Sequence, residues 1–374
     1  MTKRQMAYLA CTAAVMASGL GAAPSADHRT VHLVRPGESI QKAVDTARPG
    51  DTVLISPGTY HESVRITVPD LTVRGSGARR TVIEPGPASA DVCAKAGNGI
   101  CVTGTDSAPL TGVTVRALTV KGFAKQGLWA SGTDRLTVRG VTAEDNGQWG
   151  IAQERSDRGV FRHNTARGNG DAGLFVANTV SAEEGARDTR GTVISDNRLV
   201  DNRIGITVRR LRNLTVDHNE ATGNCAAVFV VGDENKPPAG ALTVRRNYLH
   251  ANNRSCPKTP RLPALQGSGI VLTGTENSLV TKNWVVDNVG TSPLSGGIVL
   301  FKSFVGAANR GNVIHDNVVL RNGPADLADR DPAGTDNVFR RNTCRVSQPA
   351  KPVLTVPSLP HPPPKARQKK RGTR

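Results

Sequence analysis

The chain has 374 residues, a formal net charge of +17 and only 3% aromatic residues. Its 37% hydrophobic content is enough for a sizeable core, which excludes a wholly disordered polyelectrolyte. After the first two dozen residues no stretch is long and apolar enough to span a membrane, so a helical membrane protein is excluded too.

In chain order, "MTKRQ" is a positive leader, followed by apolar or small residues over 6–23 and small residues up to Ala26. This pattern predicts a secretory signal over 1–26 and hence an extracellular protein. Cys11 follows too short an apolar run for a lipoprotein anchor. The phrase "ESIQKAVDTARPGDTVLISPGTYHESVRI" (38–66) predicts a short helix, a Pro-Gly-Asp turn and a first strand. Ile40, Ala43, Val44 and Ala47 fall on one face of that helix.

Downstream, one phrase recurs: "GVFRHNTARGN" (159–169), "TVISDNRLVDN" (192–202), "LTVDHNEATGN" (214–224) and "NVIHDNVVLRN" (312–322) among others. Aligned on its first asparagine, it places Asn164, Asn197, Asn219, Asn247, Asn283, Asn317 and Asn342 in one column, with Leu118 and Val141 in earlier copies. The basic interval of about 22–23 residues, lengthened by insertions, is a solenoid signature. Three residues before each asparagine stands an apolar residue, and apolar residues return two after it, so each copy reads as two short strands joined by a bend. A third strand follows, usually opened by glycine: "GLWAS" (127–131), "GIAQE" (150–154), "GLFVA" (173–177), "GITVR" (205–209) and later copies. Asparagines stacked inside the bend are expected to pair with one another and with unpaired backbone groups, and to take the left-handed conformation a bend needs.

Cys93 and Cys101 flank "CAKAGNGIC", and Cys225 and Cys256 follow the second asparagine of neighbouring copies. Stacking would bring the latter two together, and export permits both disulfides. Cys344 sits at an apolar repeat position and reads as a buried thiol. From Gln348 the chain turns Pro-rich and then basic, with seven cations and no acid over 350–374. Without that tail and the leader the body carries about +8. The expected organisation is therefore a signal at 1–26, a repeat domain at 27–347 and a disordered basic tail at 348–374. Charge confined to a tail, without a base-stacking motif, argues against a specific nucleic-acid partner and for an anionic wall polymer or acidic polysaccharide.

The opening phrase and the repeats together resemble the pectin-lyase-like superfamily of right-handed parallel β-helices, including its copper-maturation (NosD-like) members with parallel β-helix repeats. The resemblance implies an all-β, single-stranded right-handed parallel β-helix of roughly ten coils, capped by the N-terminal helix and acting as a monomer. It also implies that the glycine-opened strand lines a substrate groove walled by loops on either side. Extra residues cluster there, at 178–191, 232–241, 253–267 and 289–296.

Alternation puts two columns on the outside of that strand. One is Trp129, Ala152, Phe175, Thr207, Phe229, Val271, Val299; the other is Ser131, Glu154, Ala177, Arg209, Val231, Thr273, Phe301. Trp129, Phe175, Phe229 and Phe301 are candidate sugar-stacking residues, unless inserted loops cover them. Arg155, Arg210 and Lys302 are candidate cations for an acidic ligand. Pectate lyases use Arg or Lys as a base and acidic residues to hold Ca²⁺. On that resemblance Arg209 with Glu154 is the catalytic candidate for β-elimination, and Asp233 with Glu234 the candidate Ca²⁺ ligands. The chain lacks the Gly-His-Gly with paired aspartates of polygalacturonases and the Asp-Pro-His-Asp of mannuronan epimerases. "VDHN" (216–219) is similar to a pectate-lyase Asp-His but belongs to a different strand of the repeat. His163, Asp196 and His218 stack beside the asparagine column as a rival metal site, although Arg246, Lys282, Asp316 and Arg341 continue the same column. The competing function is a non-catalytic surface or wall-associated scaffold.

Overall fold

The computed structural model describes residues 29–350; the expected signal and the basic tail beyond Ala350 lie outside them. Each short strand buries one face. In Thr137–Arg139, Val138 points inward and is fully buried, while Thr137 and Arg139 face out. In-register parallel pairing stacks Val115, Val138, Phe161, Ile194, Val216, Val244, Val280 and Ile314 into one inner column. Three parallel sheets of 14, 10 and 11 strands result, with a two-stranded pair at Leu110–Thr111 and Thr133–Asp134. The chain visits the three sheets in turn on every coil, and their inner faces enclose one continuous aliphatic core. This is the expected right-handed parallel β-helix.

The helix Ile40–Thr46 closes the N-terminal end, with Ile40 and Val44 buried and Ala43 and Ala47 packed against the core. Ser39 caps it, and the Glu62 carboxylate accepts from the Ile40 and Gln41 N–H groups at 2.7 and 3.1 Å, so its first turn has few unpaired donors.

The asparagine column forms a hydrogen-bonded ladder from Asn164 to Asn342. A representative rung is Asn197. Its Nδ2 donates to Asn219 Oδ1 at 2.9 Å and to the Phe161 carbonyl at 2.9 Å, and its Oδ1 accepts from the Asn164 backbone N–H. The left-handed residue, however, is not the asparagine. It is the residue before it: His163, Asp196, His218, Arg246, Lys282, Asp316 and Arg341, like Ala117 before Leu118 in an earlier copy, have φ between 50° and 57°. The asparagine must turn its amide inward, so its exposed neighbour makes the bend. This explains the His163/Asp196/His218 column without a metal: Asp196 lies 3.8 Å from Arg162, and His218 lies 2.8 Å from Asp217. A second ladder was not anticipated. Asn146, Asn169, Asn202, Asn224, Asn252, Asn288 and Asn322 bond in the same way at the next bend and end on Asp326. Its sequence signal is plain: the second asparagine of every full copy.

Replacing a rung by alanine leaves buried donors of the neighbouring coil without an acceptor, at about 1–3 kcal/mol each. Asn219→Ala should therefore lower the unfolding free energy by about 3 kcal/mol in urea titration. His218→Lys, at the exposed turn beside it, should change it by less than about 0.5 kcal/mol. Equal losses would refute the division of labour between the two positions.

Candidate functional site

The outer face of the third sheet carries both expected columns in register. Trp129 pairs with Ala152, then Phe175, Thr207, Phe229, Val271 and Val299; Ser131 leads through Glu154, Ala177, Arg209, Val231 and Thr273 to Phe301. The aromatics are not open platforms. Phe175, Phe229 and Phe301 are 6%, 1% and 7% exposed, within a second apolar cluster that Cys256, Leu265 and Leu294 complete from the inserted segments. Trp129 is half-buried. Trp149, which no strand pattern marks because it precedes its strand, lies 4.0 Å from Phe175 and 5.9 Å from Trp129 in one stack. The insertions thus cover the aromatics expected to stack on sugars, because an uncovered outer sheet face this apolar would cost too much in water.

Between the inserted segments lies a groove of about 1270 Å³. Trp149, Phe175, Thr207, Arg209, Phe229 and Val231 form its floor. One wall comprises Val180, Glu183, Arg210, Gly232 and Asp233, continued by Ser303–Val305, which sequence patterning did not single out. The other comprises Asp171, Arg203 and the segment Arg254–Leu262.

The two adjacent arginines differ. Arg210 sits at a left-handed turn (φ 53°) and is almost fully buried, paired to both Glu183 and Asp233. Asp233, itself buried, is thereby neutralised by a guanidinium, while Glu234 is exposed beside it. No group of three or more His, Cys, Asp or Glu side chains is arranged to hold a metal among the described residues. The Ca²⁺ role expected of Asp233 and Glu234 thus gives way to an ion pair. Arg209, one residue earlier on the strand, lines the groove floor, and its guanidinium has no hydrogen-bond or ion-pair partner among the described residues. Burial lowers its pKa, and the positive charges of Arg210 and Arg261 push in the same direction. It stays cationic at neutral pH, with the carboxylates of Glu183 and Asp233 offsetting part of the repulsion.

Glu154 shares the Arg209 column but not its groove. Its carboxylate accepts from the Val180 N–H at 3.2 Å and from Ser131 Oγ at 3.5 Å, and burial under that segment raises its pKa. The structure therefore does not bring Glu154 and Arg209 together. Arg155 pairs with Asp106 and Glu184 at 2.7 and 2.9 Å outside the groove, and Lys302 is exposed at the end of its strand.

On the far wall, burial raises the Asp171 carboxyl, opposed by Trp149 Nε1, which donates to it at 2.9 Å. Arg203, only 8% exposed, donates to the Pro257 and Pro263 carbonyls at 2.6 and 3.3 Å, clamping both ends of the excursion between them. The Cys225–Cys256 disulfide and the antiparallel Cys256–Leu265 backbone pair fasten the same base. The other expected disulfide, Cys93–Cys101, is also present, and Cys344 is a free, half-buried thiol. No helix among the described residues is long and apolar enough to cross a membrane.

These features agree with comparison to known proteins. A family model described as a right handed beta helix region matches residues 89–239. Among solved structures, the chain superposes on the A-module of mannuronan C-5 epimerase AlgE4 from Azotobacter vinelandii with a TM-score of 0.54 and 18% identity, covering 85% of this chain and 94% of that one. DFA-IIIase from Arthrobacter chlorophenolicus A6, without its lid and in complex with GF2, gives a TM-score of 0.55 at 16% identity, covering 85% and 92%. At such identities the likeness establishes the fold. No curated protein matches in sequence.

Reduction, or Cys256→Ser, should loosen the 257–264 wall without unfolding the coils. Brief trypsin treatment should then cut after the exposed Lys258 or Arg261 at least several-fold faster, with little shift in the main unfolding transition. An unchanged cleavage rate would mean that Arg203 and the Cys256–Leu265 backbone pair hold the wall without the disulfide.

Proposed function

We propose that the chain is an exported protein whose groove binds an acidic polysaccharide, with Arg209 as the cation that meets a ligand carboxylate. The observation that carries this reading is Arg209 itself: a half-buried guanidinium on a groove floor, unpaired, with Arg210 and Arg261 close enough to repel it. A protein holds a cation in that state at a cost, and an anion entering the groove removes it. Val231 on the floor and the exposed Phe304 and Val305 on the wall offer apolar surface in the same groove, as the faces of sugar rings require. The two disulfides fit an oxidising compartment. One fold neighbour is an epimerase named for mannuronan, an acidic polysaccharide, which supports the ligand class.

Binding is favoured over bond cleavage by a distance. Asp171, whose raised pKa suits a proton donor, aligns with Arg203 and so lies six residues from Arg209 along the strand direction, about 20 Å at the backbone. Two groups so placed cannot serve one glycosidic bond, since acid and base must each reach it within hydrogen-bond distance. Glu154, the other candidate partner, is covered by Val180.

Titration calorimetry with galacturonate and mannuronate oligomers should show binding that weakens with salt and exceeds that of a neutral glucan oligomer. Loss of a charge-assisted bond, about 1.5–3 kcal/mol, predicts that Arg209→Ala weakens it roughly ten- to hundredfold. Equal binding of the neutral oligomer, or no effect of Arg209→Ala, would defeat the reading. Growth of the ultraviolet absorbance of unsaturated uronates would show instead that the groove is a lyase site.

A further inference from the structure

We propose that the segment Val180–Glu184 occupies an extension of the groove, with Glu183 and Glu184 standing in for carboxylates of the bound glycan. The inference rests on the acidic-glycan reading above and concerns how much of the outer sheet face that glycan can use.

The pattern is in the arginines beneath the segment. Arg155 and Arg210 occupy equivalent left-handed turns two coils apart, about 10 Å along the solenoid axis. Each holds two carboxylates, one from the body of the protein and one from the segment. Arg155 takes Asp106 and Glu184; Arg210 takes Asp233 and Glu183. Asp233 is buried, whereas the Glu183 side chain is 71% exposed and that of Glu184 45%. On Arg155 both partners are open to water, Asp106 at 49%; on Arg210 only the segment's carboxylate is, and on both arginines that carboxylate arrives on a loop. A ligand carboxylate could replace it without changing the local charge.

Little else holds the segment down. Its ends are fixed: Thr179 is buried, Ala186 N–H donates to the Pro237 carbonyl at 2.7 Å, and Gly185 lies so close to the Lys236 carbonyl that a Cβ would meet it at 2.0 Å. Between these ends the contacts are Val180, which packs partly on the outer apolar cluster, its N–H on Glu154, the Ala182 carbonyl accepting from Arg210 at 2.6 Å, the Ala182 N–H on Thr179 Oγ1 at 3.3 Å, Asn178 Nδ2 donating to Glu184 at 3.4 Å, and the two ion pairs of Glu183 and Glu184. The Arg155–Glu184 pair, partly exposed on both sides, contributes little to holding the segment in place, so the buried Arg210 is its principal anchor. Lifting it uncovers Glu154 and opens the second outward column from Arg209 back through Ala177, so a glycan would span two further coils.

The test uses the full chain and a galacturonate hexamer as probe. Glu183→Gln/Glu184→Gln removes the stand-in carboxylates and should bind the hexamer about five- to tenfold more tightly than wild type. Because the change also adds positive charge, Asp145→Asn/Asp201→Asn, at two other carboxylates that line the groove, serves as a charge-matched control and should gain clearly less. Hydrogen exchange at the Val180–Glu184 amides should accelerate when the hexamer binds wild type. If wild type binds and the Glu variant is unchanged, weaker or merely equal to the control, or if the amides become protected, the segment is a wall and the inference fails while the groove reading stands. If neither wild type nor variant binds the hexamer or the corresponding mannuronate oligomer, the groove reading fails and takes this one with it.

Discussion

A side-chain amide that bonds to the coils on either side of it is the interaction on which this molecule depends. A β-helix bends twice or three times per coil, and each bend removes backbone groups from the ladders of the flanking strands. Water cannot reach them, since the ladder asparagines are almost completely buried. Asn197, bonded to Asn219, to the Phe161 carbonyl and to the Asn164 N–H, shows how one residue type answers this repeatedly. Stacked seven deep at each of two bends, the amides fix the rise and register of the coils between them. The second ladder even ends on a carboxylate, Asp326, whose other oxygen accepts from the Arg345 and Val346 N–H groups and so ties down the last coil.

The ladders also decide where function can be built. An insertion within a laddered bend would separate an asparagine from its partners above and below. Extra residues are tolerated only outside the bonded positions. They follow Asn252 and Asn288 on one side of the third sheet, and follow Ala177, Val231 and Phe301 on the other, where side-chain bonds between coils are intermittent, Thr133 with Ser156 early and Thr275, Asn309 and Asp331 late. Both permitted places flank the same sheet. Two rows of loops then rise on either side of its outer face, and a groove between them follows from the hydrogen bonding of the bends elsewhere.

What was legible in the residues divides along this line. Period-two alternation and the recurring asparagine encode the coil locally, so the three strands, the inner core and the register of both outer columns, from Ser131 to Phe301, can be read directly. The conformation of the bend could not, because an asparagine and its exposed neighbour are both reasonable left-handed residues. Only the inward demand on the amide settles that His163, Asp196 and His218 turn the chain. The cover over Phe175 and Phe229 was equally hidden. It comes from Cys256, Leu265 and Leu294, which reach the sheet through loops whose path no local pattern specifies. Glu154 and Arg209 were correctly placed in one column, yet Val180 comes between them from a segment with no repeat signal.

The two walls are built to different stiffness, and this gives the groove a direction. The wall containing Pro257, Pro260 and Pro263 is fastened by a disulfide, by the Cys256–Leu265 backbone pair and by the buried Arg203 guanidinium spanning two carbonyls. Proline also leaves it little entropy to gain by opening. The opposite wall around Val180–Glu184 relies on exposed carboxylates meeting arginines that already have other partners. Arg209 lies at the foot of that softer wall, on the strand that leads beneath it. Under the proposed function, an anionic ligand drawn to Arg209 would meet a fixed edge on one side. On the other it would meet a segment held by the same kind of ion pair that such a ligand can itself make.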